Sequence, residues 1–287
     1  MTDNHLTNWG RWGEDDQRGT LNLMTPELIR KAAGLVKTGK TYSLAMPLEA
    51  EGPQWPMRHK TWRVTTYNAA RPTHGSSDDI LMMHSHSGTH IDSLCHIWYD
   101  GQLYNGYDAK EHVTSAGSTR NAIDNVPFIV GRGVLLDIAT WKGVDHMYIG
   151  EGITADDLDQ CAQAQGVNIQ PGDILLVRTG WMRVFSENRD LFNSGEPGLD
   201  LSTLAWLKSH DIVGVGADNH AVEVLPQIPP TGIPFHRVAI RDLGLYLMEN
   251  FNLESLATDG IHECLLVIAP LPLTGAVGSP INPIAIA

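Results

Sequence analysis

Between His84 and His96 the chain reads His-Ser-His-Ser-Gly-Thr-His-Ile-Asp-Ser-Leu-Cys-His, so four of its thirteen histidines fall within thirteen residues. Even scattering would place fewer than one there. His86, His90, Asp92 and His96 stand at offsets of 0, 4, 6 and 10. On a helix turning about 100° per residue, the first pair would face roughly away from the second. On a strand all four offsets are even, so the four side chains share one face. A straight strand rising about 3.3 Å per residue spreads them too far apart to meet at one point. Gly88 has the backbone freedom to bend the segment. The spacing therefore predicts a kinked strand or strand-turn whose polar side converges.

Imidazole nitrogens with a carboxylate are the usual ligands of a divalent ion such as Zn2+ or Mn2+. An ion with an open position lowers the pKa of a bound water to about 7 and polarises a carbonyl oxygen. A nearby histidine, with an ordinary pKa of about 6.5, takes the water's proton and returns it to the leaving group. The expected reaction is a hydrolysis releasing a carboxylate with an amine or an alcohol.

The remaining composition narrows the partners. Acidic residues outnumber basic ones 33 to 20, giving a net charge of -13, and no basic block interrupts that field. Nucleic acid and anionic membrane surfaces both need such a block, so neither is an expected partner. The start of the chain lacks a basic and apolar leader, and no stretch approaches eighteen apolar residues, so no membrane span is expected. Cys95, Cys161 and Cys264 are odd in number and far apart, which fits a reduced, cytoplasmic setting. No Gly-x-Ser-x-Gly elbow, Gly-x-Gly-x-x-Gly turn or Walker loop is present, which argues against a serine nucleophile or a nucleotide cofactor.

Thr25 as N-cap and Pro26 at the first position open a helix predicted to run to Val36. A second is predicted from Thr154 to its stop at Gly166, and a third from Ser202 to His210. The apolar runs 133–138, 173–178, 211–216 and 264–269 read as buried strands. Helices alternating with strands in the middle, with strand-rich ends, predict a mixed α/β fold. With no break in composition, 1–287 is read as one domain, residues 1–24 forming an N-terminal arm.

The run His86-Ser-Gly-Thr-His90-Ile-Asp92-Ser-Leu-Cys-His96 resembles the His-x-Gly-Thr-His-x-Asp-x-x-x-His signature of the cyclase-like metal hydrolases, which include kynurenine formamidases and isatin hydrolases. Leu94 departs from the Pro of many members. The blocks 9–22, 172–181 and 236–250 are similar to further shared segments. The resemblance implies that His86, His90 and Asp92 hold the metal. It makes His96 an acid/base or second-metal residue, and His236 with Glu249 the distal pair that completes a two-metal site in the formamidases. On that basis His236 is expected as a ligand, and His96 as the proton carrier with Glu249 as its alternative. The resemblance further implies a compact mixed sheet with helices, of the swivelling β/β/α type. It implies association as a homodimer or homotetramer, in which the Trp9–Trp12 region either reaches a neighbour's pocket or packs on its own core.

The expected function is cleavage of the amide C–N bond of an arylformamide or cyclic amide by metal-hydroxide attack on a small aromatic or carboxylate-bearing substrate. The alternatives are a dienelactone-type lactone hydrolase in aromatic catabolism and a metal-binding protein without catalysis. Several other residues have plainer readings. His84 is not expected as a ligand; it stands on the strand face or supports a residue that binds the ion. Cys95, of opposite parity to the ligands, is expected as a small core residue. Asp218-Asn-His220 is either a site loop or a structural turn. Trp55, Trp62, Trp98 and Trp181 are pocket or core candidates. Arg58, Arg63, Arg71 and Arg178 are candidates to hold a substrate carboxylate.

Overall fold

The structure, a computed structural model, describes residues 6–71, 73–226 and 232–287. The side chains of residues 68–71, that of Arg71 among them, lie outside the description, as do the first five residues of the expected N-terminal arm. The principal strands are β1 (Thr41–Ser43), β2 (Trp62–Arg71), β3 (His74–Met82), β4 (His90–Asp92), β5 (Ile129–Asp137), β6 (Ile174–Arg178), β7 (Gly214–Ala217), β8 (Tyr246–Glu249), β9 (Glu263–Ile268), β10 (Gly278–Pro280) and β11 (Ile284–Ile286). Nine of them form one mixed sheet in the order β1-β11-β9-β5-β6-β7-β8-β4-β10. β2 and β3 pair with each other in a separate hairpin.

The centre of the sheet follows from its sequence. β5, β6, β7 and β8 run parallel, and β6 (Ile-Leu-Leu-Val-Arg) is buried at every position. Parallel strands covered on both faces read as continuous apolar runs rather than alternating ones. Helices α1 (Pro26–Ala33) and α2 (Ala155–Gln165) both pack against β5. Thr154 and Asp157 form a reciprocal capping box at the start of α2, and Gly166 closes it in the left-handed conformation. α1 ends at Ala33, short of the predicted Val36. The amides of Leu35 and Val36 bond three residues back, to Ala32 and Ala33, so the chain leaves the helix through tight turns. The strand expected from Asp211 starts only at Gly214, because Asp211 sits at φ 51° in a turn. The mixed α/β architecture expected from the sequence is the one observed.

The N-terminal segment lies on its own chain. Trp9 donates its indole N–H to the Arg241 carbonyl at 2.6 Å, and the Arg241 guanidinium covers its ring at 4.6 Å. Trp9 packs, partly buried, against the core of its own chain.

At the far side of the sheet, β4 lies between β8 and β10 and is antiparallel to both, with His90 opposite Glu249 and Pro280. That pairing brings the histidine segment to the distal block.

Candidate metal centre

Gly88 has φ +63°, so the bend expected there is present, and only His90–Asp92 continue as strand. His86 precedes the bend, and His96 follows in a turn in which its amide bonds the Ser93 carbonyl. Parity therefore organises only the three strand residues; the turns on either side bring in His86 and His96.

His86 Nε2 lies 3.3 Å from Asp92 Oδ1, and His90 Nε2 lies 3.8 Å from the same oxygen. His96 Nε2 and His236 Nε2 stand 4.0 and 3.9 Å from Asp92 Oδ2. Two triads close enough to share an ion result, His86/Asp92/His96 and Asp92/His236/Glu249, with Asp92 common to both. His90 belongs to neither triad, yet its Nε2 comes within 3.0 Å of Glu249 Oε2. Nitrogen and oxygen ligands at about 2.1 Å from an ion sit about 3 to 3.5 Å apart, close to these spacings. His86 Nε2, His90 Nε2 and both Asp92 carboxylate oxygens are buried without a hydrogen-bond partner. Buried polar atoms are rarely left so. The donor set fits a divalent cation.

The ring orientations follow from neighbours. His90 Nδ1 donates to the Gly88 carbonyl at 2.8 Å, which turns Nε2 toward Asp92 and Glu249. The His86 ring stacks on His96 with centroids 3.9 Å apart. Gly278 on β10 has a specific reason to lack a side chain, since a Cβ there would meet His86 Nε2 at 2.5 Å.

Sequence reasoning missed Glu223, which holds His236. Its Oε1 takes His236 Nδ1 at 2.6 Å, and its carboxylate also accepts the amides of Phe235 and His236. Val222, at φ 58°, adopts a conformation that β-branched residues seldom take. The Asn219 side chain accepts the Val222 amide and fixes that turn. A buried acid thirteen residues before His236 is the only trace this arrangement leaves in the sequence.

Electrostatics match this geometry. Burial pushes His86 well below the ordinary imidazole range, aided by His96 and His90, so it stays neutral. Burial lowers His96 as well, against the pull of Asp92. Burial alone would raise Glu249, but His90 and His236 outweigh it and hold the carboxylate ionised. His236 lies between Glu223 and Glu249, which overcome burial and push its pKa up to about 10. A position that attracts positive charge so strongly suits a divalent cation too.

Beside the cluster lies a cavity of about 410 Å3 lined by Trp55, Met57, Phe192, Glu196, His220 and Leu225, among others. None of the cluster residues lines it, but its walls are continuous with residues that hold them: Gln54, beside Trp55, accepts the Ser87 hydroxyl, and Glu223, three residues after His220, holds His236. Arg58 donates to the His86 carbonyl at 2.5 Å. Of the other candidate arginines, Arg63 pairs with Asp79 on the hairpin and Arg178 with Asp137 and Glu254. Trp55 lines the cavity, Trp181 is core, and Trp62 and Trp98 are exposed. His84 stacks on His59 and accepts its amide, and Cys95 is fully buried. The 218–220 loop divides its roles: Asp218 accepts the amides of Thr179 and Gly180, while His220 faces the cavity.

Residues 42–224 match the family model described as "Putative cyclase". The chain belongs to the cyclase family of enzymes. A crystal structure of "a novel cyclase" superposes with a TM-score of 0.91 at 37% identity, over 98% of this chain and 99% of that one. Isatin hydrolase A from Labrenzia aggregata, bound to benzyl benzoate, shares the fold with a TM-score of 0.64 at 20% identity, over 88% and 94%. A predicted metal-dependent hydrolase from Bacillus stearothermophilus does so with 0.58 at 22%, over 86% and 97%. No curated protein matches the chain. Among the described residues no helix is long and apolar enough to cross a membrane.

Proposed function

We propose that this cyclase-family enzyme is a metal-dependent hydrolase that cleaves the C–N bond of an arylformamide or a cyclic aryl amide. The observation that carries the reading is Asp92. Both its oxygens are buried and unpartnered, and each faces histidine nitrogens at 3.3 to 4.0 Å. His86, His90, Asp92 and His236 are the residues that would hold the ion, with Glu249 close enough to join them. When bound, a zinc or manganese ion supplies an acidified water and a Lewis acid for the scissile carbonyl.

The chain supplies the rest. His96 keeps 21% of its side chain exposed, whereas His90, Asp92 and His236 are almost fully enclosed, so it is the member of the cluster that solvent and substrate can reach. Burial keeps its imidazole neutral, ready to accept a proton from the attacking water and return it to the departing nitrogen. The aromatic lining of the adjoining cavity suits an aryl group, and isatin hydrolases share the fold.

The test is a panel of N-formylkynurenine, isatin and dienelactone, run on protein as purified, after chelation, and after restoring zinc or manganese. The expected result is turnover of an amide substrate that chelation abolishes and metal restores. Turnover of the dienelactone alone overturns the amide assignment, and chelator-insensitive turnover overturns the metal assignment.

A further inference from the structure

The Gly88 carbonyl, at the bend of the histidine segment, receives two donors. One is His90 Nδ1 at 2.8 Å, and the other is the side-chain amide nitrogen of Asn250 at 3.2 Å. A carbonyl oxygen offers two lone pairs, so both are taken. Asn250 follows Glu249 at the end of β8 and is 1% exposed. Its own carbonyl accepts the Thr89 hydroxyl at 2.6 Å, and its backbone amide donates to the Asn219 carbonyl at 2.9 Å. Gly88 and Thr89 are thus held by one residue of the neighbouring strand, immediately before His90.

Asn250 is a costly residue for packing alone. Its backbone sits at φ 57°, a conformation glycine adopts without strain. Its Oδ1 is buried and has no hydrogen-bond partner among the described residues. Turning the amide over would not help, because Oδ1 would then face the Gly88 carbonyl, acceptor against acceptor. What the side chain supplies is one N–H, aimed at the atom that orients His90. The direction of a ligand imidazole is set by the bond its other nitrogen makes. Here the acceptor belongs to a left-handed glycine, φ +63°, which has no side chain of its own to hold the peptide in place. A second donor fixes that peptide plane, and the His90 ring with it.

We propose that Asn250 is a positioning residue, whose side-chain N–H fixes the Gly88 carbonyl and through it aims His90 Nε2 at the ion. The metal part of this inference rests on the reading of the cluster given above; the orientation of His90 does not. Glu249 and Asn250 then divide two tasks between consecutive residues: one meets His90 Nε2 directly, and the other sets its direction from behind.

The experiment uses full-length native protein and Asn250→Gly, which keeps the backbone conformation and removes the donor. Exchange of the His90 ring N–H, followed by NMR after chelation, is expected to be about ten-fold faster in the variant. Zinc affinity, measured by competition with a chromophoric chelator, is expected to fall about five-fold or more. Tm of the chelated variant stays within about 3 °C of native, since strain and an orphaned oxygen leave together with the lost bond. Unchanged ring exchange, or unchanged zinc affinity in a native protein that binds zinc, overturns the proposal. So does a Tm lower by about 5 °C or more with protection lost across the sheet, which marks a core role instead. Should the glycine variant not fold, the native protein decides. Protection of the His90 ring proton and of the Asn250 side-chain amide must fall with the same slope in urea, and different slopes overturn the proposal. A native protein that binds no zinc sinks the metal reading, while the ring exchange still tests Asn250.

Discussion

Glu249 on β8 stands directly across the antiparallel pairing from His90 on β4, with its Oε2 3.0 Å from His90 Nε2. Directly opposed side chains share a face and lie close together, so strand register alone joins the motif to a residue 159 positions later. The other oxygen, Oε1, meets His236 Nε2 at 3.0 Å. Glu249→Gln keeps the shape and removes the charge from this junction. Elemental analysis should then show metal per chain falling, with affinity reduced by about ten-fold or more. Undiminished metal content would show that the Glu249 charge is not part of the ion's environment.

Glu223 presents a separate case, because it touches His236 rather than the position between the ligands. Glu223→Ala frees Nδ1 and the two amides it accepts. A loss of about 10- to 100-fold in metal affinity is expected, the usual cost of removing the partner that orients a histidine ligand. Glu223→Gln retains an acceptor and should recover part of it. Equal affinity in all three proteins would reduce Glu223 to a local helix cap.

The histidine motif made one half of this centre legible in the sequence. Even spacing with a glycine inside it required a bend, and the bend is at Gly88. The middle of the sheet was partly legible: the apolar runs 133–138 and 173–178 read as buried strands, and the strands observed are Ile129–Asp137 and Ile174–Arg178, the first extended by the Gly- and Arg-containing residues 129–132. Glu223 and Gly278 were not visible. Glu223 acts through a turn at Val222 that no propensity predicts, and Gly278 matters because β10 pairs with β4 and brings its backbone against His86. Both depend on which strands become neighbours, and a pattern within one strand does not state that.

If the orphaned nitrogens and oxygens around Asp92 bind an ion, the folded chain gains stability by mass action, since no such site exists in the unfolded chain. At free zinc or manganese of about 100 times Kd the gain is about 2.7 kcal/mol, corresponding to a rise in Tm of roughly 5 °C for a chain of this length. Thermal scans of chelated and reloaded protein check this. An Asp92→Asn variant should show little of the rise, and a full rise in that variant would locate the ion elsewhere.

The β2–β3 hairpin carries the expectation of oligomerisation. Trp62 pairs with Met82 and Val64 with Ile80, so these four exposed apolar side chains form one face of the hairpin. The other face carries Arg63, Thr65 and Asp79 in a polar network, with exposed Leu81 and Tyr67 beside it. A two-stranded hairpin is marginal by itself in water, and an apolar face this contiguous marks a contact surface. Light scattering should give a dimer or tetramer, and Ile80→Asp with Met82→Lys should shift it toward monomer. A monomeric native protein would refute the assembly.

Asp173 links the fold to pH. Burial pushes its carboxyl up to about 6, against the Gln170 amide and the Arg132 guanidinium. The folded chain therefore binds a proton here more tightly than the unfolded chain does. The stabilisation that goes with the protonated form is full below about pH 4, declines as pH rises, and is gone above about 6. A displacement of about two pH units corresponds to about 3 kcal/mol across that window. Asp173→Asn keeps an acceptor for Gln170 and cannot ionise, so its contribution does not change with pH. Urea unfolding of both proteins at pH 4 and pH 7 should show the native protein losing about 3 kcal/mol relative to the variant as pH rises. Parallel pH profiles would mean that Arg132 keeps Asp173 ionised throughout, and the burial of this carboxyl would then cost the fold nothing that pH can reveal.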